Sequence, residues 1–157
     1  MIRLHAGMSE SKVGQALPAI VWEKSYEVGH PILDAQHRHI VDLINALHNA
    51  AEGEGLATVD AILPHFIRFL DNHFATEEAI LRQVAYPGVE QHAGEHRALM
   101  NRVTKAVAAA EGGHGTDLVV FAATIWSLVH QHTIISDQEY AALLRTFRAT
   151  SAPDAGE

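Results

Sequence analysis

The stretch from His73 to His96 contains two pairs of metal-type ligands, each with a four-residue spacing. Residues four apart are neighbours on one face of an α-helix, so His73 with Glu77, and His92 with His96, each present two ligand atoms to one point in space. This spacing is typical of metal sites. Between the pairs, the Tyr-Pro-Gly at residues 86–88 predicts a turn that lets the second helix fold back beside the first.

The composition limits the metal and the partners that the chain can bind. It has no cysteine, so a metal must be bound through nitrogen and oxygen. The net charge is -8 at pH 7, and the 11 Lys and Arg are scattered singly, which argues against nucleic-acid binding. No apolar run approaches the roughly 18 to 20 residues that span a bilayer, and the first residues lack the apolar core of a signal peptide. We expect a soluble, cytoplasmic protein with no membrane partner.

The domain organisation follows from length and apolar content. A chain of 157 residues with 48% apolar residues can bury one continuous core. We expect a flexible tail over residues 1–17, one domain over 18–150, and a disordered tail over 151–157. Residues 18–33 show no sustained apolar period, and they predict an ordered, extended arm that packs on the core.

Four segments after this arm show the 3.6-residue apolar period of amphipathic helices. Short connections between them predict an all-α fold, an antiparallel up-down-up-down four-helix bundle with an N-terminal extended arm. A second helix is predicted to begin near Thr58 or Asp60. If Asp60 caps it, Pro64 lies within about its first turn, where a missing N–H costs little, whereas a much earlier start would put a kink at Pro64. The predicted starts of the other three helices are after Asp34 as N-cap, after Pro87, and after Thr116 or Asp117.

Every predicted helix has an ionisable residue on its apolar face. A single His in such a place is more often a hydrogen-bonded core residue than a metal ligand. Burying five imidazoles and a carboxylate without a shared partner, however, would leave many unpaired polar groups, each costing about 1 to 3 kcal/mol. A metal centre removes that cost, and its candidate ligands are His37, His73, Glu77, His92, His96 and His132.

Asp137 is harder to place from periodicity. It follows His132 by five residues, which is about 140° around an ideal α-helix. It could face solvent, reach around the helix as a bridging carboxylate, or join the site through a local widening of the helical turn. Periodicity leaves these alternatives open.

Together these residues resemble the hemerythrin family, and within it the single-domain bacterial form. The resemblance extends from Trp22 to Tyr140 and fills all seven ligand positions of the family in order. The family also uses the five-residue spacing seen between His132 and Asp137. The matching segments are Trp22 with Val28-Gly29, Leu33-Asp34-Ala35-Gln36-His37, His73-Phe74-Ala75-Thr76-Glu77-Glu78, Tyr86-Pro87, His92-x-x-x-His96 and His132-x-x-x-x-Asp137.

The resemblance implies a centre of two non-heme iron ions inside the bundle. One open position, on the iron that His37 and His73 bind, would take O2 reversibly. We therefore expect an O2 carrier, storage or delivery protein and not an enzyme. The remaining implied ligands are His92, His96 and His132 on the other iron, with Glu77, Asp137 and an oxo or hydroxo group bridging both.

Two other functions stay open. One is a sensor of O2 or redox state, a role that in the family usually comes with a fused signalling domain, for which we expect no room in 157 residues. The other is a di-iron enzyme. A ferritin-like oxidase needs Glu-x-x-His on two helices, and the two such spacings, at Glu27–His30 and at Glu111–His114, lie in predicted breaks. Peroxide or nitric oxide chemistry at a hemerythrin-like site is a weaker alternative.

Several residues near the candidate ligands have less specific interpretations. Thr133 stands where the family usually has Ile, and a hydroxyl facing the pocket would speed autoxidation. We expect Trp126 to fill the core and His130 to lie at the surface or beside the ligands. The charged helix residues Glu78, Arg82, Arg97 and Arg102 are predicted to form a solvated face.

Overall fold

A computed structural model of the chain describes residues 19–51, 56–111 and 118–151, and within these ranges the structure is helical without β-strands. The all-α prediction is confirmed. Among the described residues, no helix has both the length and the apolar content of a membrane span. Of the two predicted tails, only Ser151 lies within the described residues, where it ends a helix. The elements are α1 (Pro31–Asn49), α2 (Leu56–Gln83), α3 (Val89–Glu111), α4 (Leu118–His130), a π-helical segment (Gln131–Ser136) and α5 (Gln138–Ser151).

The first four helices form a closed ring of contacts. Helix α1 packs against α2 and α4, and α3 packs against the same two helices. Apolar side chains fill the interior, among them Ile44, Phe66, Leu70, Val103 and Ile125. A smaller apolar cluster contains Val28, Leu33, Leu81, Tyr140, Ala141 and Leu144. Along α2, His73 and Glu77 lie on either side of Phe74 of the first cluster, and Leu81 of the second cluster follows them.

The N-terminal arm packs on the core as predicted, but it is not extended throughout. Residues Lys24–Tyr26 form a 3-10 turn. The backbone N–H of Ile20 donates to Asn45 Oδ1, and Asn45 Nδ2 donates back to the carbonyl of Ile20, both over 2.9 Å. At the other end of the arm, Val28 is fully buried. The arm is therefore attached to the bundle at both ends.

The N-cap of helix α1 lies four residues before the predicted one, so the prediction for Asp34 was wrong. The N-cap is His30, and Pro31 takes the first helical turn, where its fixed φ suits the helix and its missing N–H is not needed. The Asp34 carboxylate instead accepts the backbone N–H of Val28 over 2.7 Å. It stabilises the arm rather than the start of the helix.

Helix α2 begins at Leu56, earlier than predicted, so Pro64 lies inside the helix and not in its first turn. Proline in a helix interior removes one backbone hydrogen bond and is unfavourable. Val59 and Leu63, which both precede Pro64, are buried in the core and hold the additional turns in place. Packing outweighs the local cost of the proline.

The α2–α3 connection is a short turn whose hydrogen bonds form a Schellman motif. The backbone N–H of Tyr86 donates to the carbonyl of Leu81, and that of Ala85 donates to Arg82. This motif requires a left-handed residue, and Ala85 provides it with φ 54°. Helix α3 then begins after Pro87, and α4 begins at Leu118, both as predicted.

Candidate metal centre

All seven candidate residues come together in the interior of the bundle. They form two overlapping groups in which the ligand atoms lie within 4.8 Å of one another. Every member is buried, with at most 6% of its surface exposed. The first group contains Glu77, His92, His96, His132 and Asp137, and the second contains His37, His73, Glu77 and Asp137.

The two carboxylates belong to both groups because each directs one oxygen to each group. Glu77 Oε2 lies 3.1 Å from His73 Nε2, and its Oε1 contacts His92 Nε2 and lies 3.7 Å from His96 Nε2. The two carboxylate oxygens of Asp137 are also directed to different groups. Its Oδ2 lies 3.4 Å from Nε2 of His37, and its Oδ1 lies 3.4 and 3.3 Å from Nε2 of His92 and His132.

A widened helical turn brings Asp137 into the site. Residues Gln131–Ser136 form a π-helix, and the backbone N–H of Asp137 donates to the carbonyl of His132 over 3.1 Å. In a π-helix the hydrogen bond joins residues five apart. Of the alternatives left open by the sequence, the structure therefore has the local widening, and Asp137 is fully buried.

The hydrogen bonds of the imidazoles leave lone pairs that point into the site. Gln36 Oε1 and Glu78 Oε1 are acceptors, so Nδ1–H of His73 donates to the first and Nδ1–H of His96 to the second, each over 3.0 Å. A neutral imidazole carries one proton, so its Nε2 then holds a lone pair. For both rings this lone pair faces the Glu77 carboxylate, an arrangement that a bound cation would stabilise.

The buried polar atoms give an independent test of whether the residues fit a metal. Among the described residues, seven ligand atoms of the two groups lack a hydrogen-bond partner. A buried polar atom without a partner costs about 1 to 3 kcal/mol, so this number is unusual for a site that serves only packing. Nitrogen and oxygen donors of this kind suit a first-row transition metal. The seven atoms are Nε2 of His37, His73, His96 and His132, Oε2 of Glu77, and both carboxylate oxygens of Asp137.

Burial sets the protonation states of the site. It lowers the pKa of His37 to about 3, with His73 adding to the effect, and it lowers the pKa of His132 to about 3, with His96 adding. Burial acts to raise the pKa of Glu77, but when His73 and His92 turn an Nε2–H toward it, their hydrogen bonds outweigh burial and hold that pKa well below its usual range. His37 and His132 are therefore neutral at physiological pH, as metal ligands must be.

Asp137 responds in the opposite direction. Complete burial, with the Glu77 carboxylate as neighbour, raises the pKa of Asp137 well above its usual range. A carboxylate that is costly to ionise in the folded protein gains most from a nearby cation. The neighbouring carboxylates of Asp137 and Glu77 therefore favour the binding of a positive ion between them.

Aromatic rings separate the site from water. Phe74 stacks on His96 with ring centroids 3.9 Å apart and contacts the edge of His132 at 5.6 Å. Tyr140, which is fully buried, contacts the edge of His92 at 5.5 Å. Burial and the Asp137 carboxylate raise the pKa of this phenol well above its usual range, so it stays neutral.

Sequence reasoning missed the hydrogen-bond partners of the ligand-type histidines. Glu78 was placed on a solvated face, which is wrong: only 19% of its side chain is exposed, and it binds His96. Gln36 was not recognised as a partner of His73. Gln36 and Glu78 each lie directly beside a predicted ligand in the sequence. This is a weak signal, since a side chain about 100° around the helix from a ligand can reach the next helix but can also face solvent. The prediction holds for Arg82, Arg97 and Arg102, which are exposed.

Three residues with uncertain roles also have defined positions. Trp126 packs partly buried against the core, as predicted, and His130 stacks on it with ring centroids 4.6 Å apart, outside both groups. Thr133 is 2% exposed, and its hydroxyl has no hydrogen-bond partner.

Comparisons with known proteins agree with this geometry. Residues 28–144 match the family described as "Hemerythrin HHE cation binding domain". The chain is 28% identical over 144 residues to bacteriohemerythrin of Ralstonia nicotianae, covering 90% of this chain and 97% of the relative. It is 29% identical over 86 residues to bacteriohemerythrin of Pseudomonas aeruginosa (strain UCBPP-PA14), covering 55% of this chain and 56% of the relative. The matched part therefore spans little more than half the length of the Pseudomonas relative.

Proposed function

The chain belongs to the hemerythrin family, and we propose that it binds O2 reversibly at a non-heme di-iron centre formed by the seven buried residues. One observation carries the proposal: Glu77 and Asp137 each direct one carboxylate oxygen to either group of histidines. Two carboxylates in this arrangement can bridge two metal ions. A single ion would leave one oxygen of each without a partner.

The division of the ligands defines the two proposed iron positions. One iron is bound by His92, His96 and His132, and the other by His37 and His73, with both carboxylates shared. The first position therefore has five protein ligand atoms and the second has four, matching the two groups in the structure. The missing ligand supports an open position for O2 beside His37 and His73.

When bound, the iron pair would supply electrons to O2 and a free coordination position for its binding and release. The protein holds the ligands and excludes water. Phe74 and Tyr140 cover the histidine rings, and the seven ligand residues are at most 6% exposed. Exclusion of water favours release of intact O2 over its breakdown. These features support a carrier, storage or delivery protein and not an enzyme.

The proposal includes the predicted antiparallel up-down-up-down topology. The ring of contacts among α1 to α4 and the short α2–α3 turn support it. In this topology α1, α2, α3 and the π-helical segment after α4 contribute to the site from one level of the bundle, in agreement with the meeting of His37, His73, His92 and His132.

The proposal is tested by anaerobic reduction of the iron-loaded protein, exposure to O2 and then removal of O2. We expect about two irons per chain by metal analysis and a visible charge-transfer band that appears with O2 and disappears when O2 is removed. One iron per chain would contradict the di-iron centre. Immediate, irreversible oxidation with turnover of an added substrate would instead indicate a di-iron enzyme.

A further inference from the structure

Two hydrogen bonds of equal length join one histidine of each proposed metal position to a residue outside the ligand set, and the two acceptors differ in charge. His73 Nδ1 lies 3.0 Å from the amide oxygen of Gln36, and His96 Nδ1 lies 3.0 Å from the carboxylate of Glu78. An amide is neutral, whereas a carboxylate carries charge. Hydrogen bonds to charged acceptors are roughly twice as strong as neutral ones.

Other contacts hold the Glu78 carboxylate in this position. Its Oε2 accepts from Arg82 Nη2 over 3.1 Å, which leaves Oε1 for His96. Arg82 also lies 3.4 Å from Glu90 Oε1. Glu78 is thus oriented from the solvent side by an arginine and from the inside by His96.

The same side of the centre has a second carboxylate nearby. Glu95 Oε2 lies 3.9 Å from His132 Nδ1, beyond hydrogen-bond distance but close enough for charge to act. On the opposite side, His37 Nδ1 is buried without a hydrogen-bond partner, and His73 has only the neutral Gln36. The two proposed metal positions therefore differ in the charge behind their histidines as well as in the number of histidines.

We propose that Glu78 is a positioning residue that strengthens metal binding by His96. In this proposal the carboxylates of Glu78 and Glu95 make the position at His92, His96 and His132 the first to bind a metal ion. The inference rests on the proposed two-metal centre. A carboxylate hydrogen-bonded to the far nitrogen of an imidazole orients the ring and increases electron donation from the near nitrogen. With the neutral Gln36 as partner, His73 is the weaker donor, and the position at His37 and His73 fills second.

The test is a titration of the metal-free protein with Co²⁺, followed by its visible absorption bands and by calorimetry. Wild type is expected to bind two ions in two resolved steps. Glu78→Gln keeps the size and an acceptor oxygen but removes the charge, and we expect the first step to weaken by roughly 10-fold or more. Gln36→Glu adds the charge on the other side and should strengthen the second step, so that the two steps approach each other.

Two controls separate this role from a structural one. Glu90→Gln removes a carboxylate that contacts Arg82 and, among the described residues, no histidine, and both Co²⁺ steps should remain at wild-type affinity. Thermal unfolding of each metal-free variant shows whether folding is intact. In a folded Glu78→Gln protein, a changed first step with altered cobalt absorption bands reports on the ligand, not on the fold.

The possible failures are distinguishable. If wild type binds fewer than two Co²⁺ per chain, the two-metal centre is wrong, and this inference is wrong with it. If wild type binds two ions in two steps but Glu78→Gln keeps the wild-type first step, the inference alone is overturned. An equal loss in Glu90→Gln and Glu78→Gln would also overturn it.

Discussion

The backbone N–H of Asp137 donates to the carbonyl of His132 across five residues, over 3.1 Å. This π-helical hydrogen bond turns Asp137 into the same buried space as His132, whose Nε2 lies 3.3 Å from Asp137 Oδ1. An ordinary α-helical turn would separate the two side chains by about 140°. Backbone geometry, as well as residue type, therefore makes this carboxylate available to both groups of histidines.

Replacing Asp137 should separate stability from metal binding. Because burial beside Glu77 raises its pKa well above the usual range, ionised Asp137 destabilises the metal-free fold. Asp137→Asn should therefore stabilise the metal-free protein by about 1 to 3 kcal/mol in urea unfolding while lowering its iron content. Asp71→Asn, at an exposed position of α2, is the control and should change neither. Wild-type iron content in Asp137→Asn would contradict a bridging role.

Removing His73 should empty one metal position. His73→Ala deletes one of the two histidines of the smaller group, so we expect metal content to fall from about two irons per chain to about one, with loss of the O2-dependent absorption band. The matched control is His65→Ala, an exposed histidine on the same helix. Retention of both irons by His73→Ala would show that the ligand is wrongly identified.

The metal-free protein should lose stability as the pH falls below about 6.5. His37 and His132 have their pKa lowered to about 3 by burial, whereas in the unfolded chain they titrate near 6.5. Between these values the unfolded state binds more protons, so stability is complete above 6.5 and decreases toward 3. Each imidazole contributes a slope of up to about 1.4 kcal/mol per pH unit.

Urea unfolding of chelator-treated Asp137→Asn protein between about pH 7 and pH 5 measures this slope without the opposing contribution of the Asp137 carboxyl, whose raised pKa adds stability as the pH falls. His37→Asn, which cannot titrate, should reduce the slope by part of its value. An unfolding midpoint that stays constant over this range would contradict the lowered pKa values. Added metal should shift the loss to lower pH, because metal and protons compete for the same nitrogens.

Ala85 in the α2–α3 turn is a position where glycine should be better. Its φ of 54° is left-handed, a conformation that costs an L-residue about 1 to 2 kcal/mol. Glycine avoids this cost, but it loses about 0.5 to 1 kcal/mol more in conformational entropy on folding, which offsets part of the gain. Ala85→Gly should therefore raise the free energy of unfolding by roughly 0.5 to 1 kcal/mol. Ala79→Gly, at an exposed position inside α2, should lower it by about 1 kcal/mol. Effects of the same sign would contradict the Schellman motif.

Thr133 carries a buried hydroxyl without a hydrogen-bond partner, directly after His132. Thr133→Val keeps the shape, removes that polar group and should stabilise the metal-free protein by about 1 to 2 kcal/mol. Thr133→Ile should also slow conversion of the O2-bound protein to its oxidised form, measured as decay of the visible band. Thr124→Val is the control, because the exposed Thr124 hydroxyl already donates to the carbonyl of Val120. Equal decay rates in Thr133→Ile and wild type would place the hydroxyl away from the pocket.

Local spacing accounts for what could be predicted. The four-residue spacings of His73 with Glu77 and of His92 with His96 define neighbours on one helix face, whatever the helix packs against. The turn at Pro87 and the start of α4 at Leu118 also followed from local signals. From the sequence alone it could thus be predicted that the chain is helical and that ligand-type residues recur on the apolar faces of its helices.

Features that depend on several elements at once follow from tertiary packing. The π-helical turn at Asp137, the early starts of α1 and α2, and the contacts of Gln36 and Glu78 depend on how each helix is rotated and staggered against its neighbours. Packing of Val59 and Leu63 outweighs the local cost of Pro64, and a partner on another helix moves Glu78 from the expected solvated face to His96. Sequence periodicity describes one helix at a time. The division of two carboxylates between two histidine groups is a property of all the helices together.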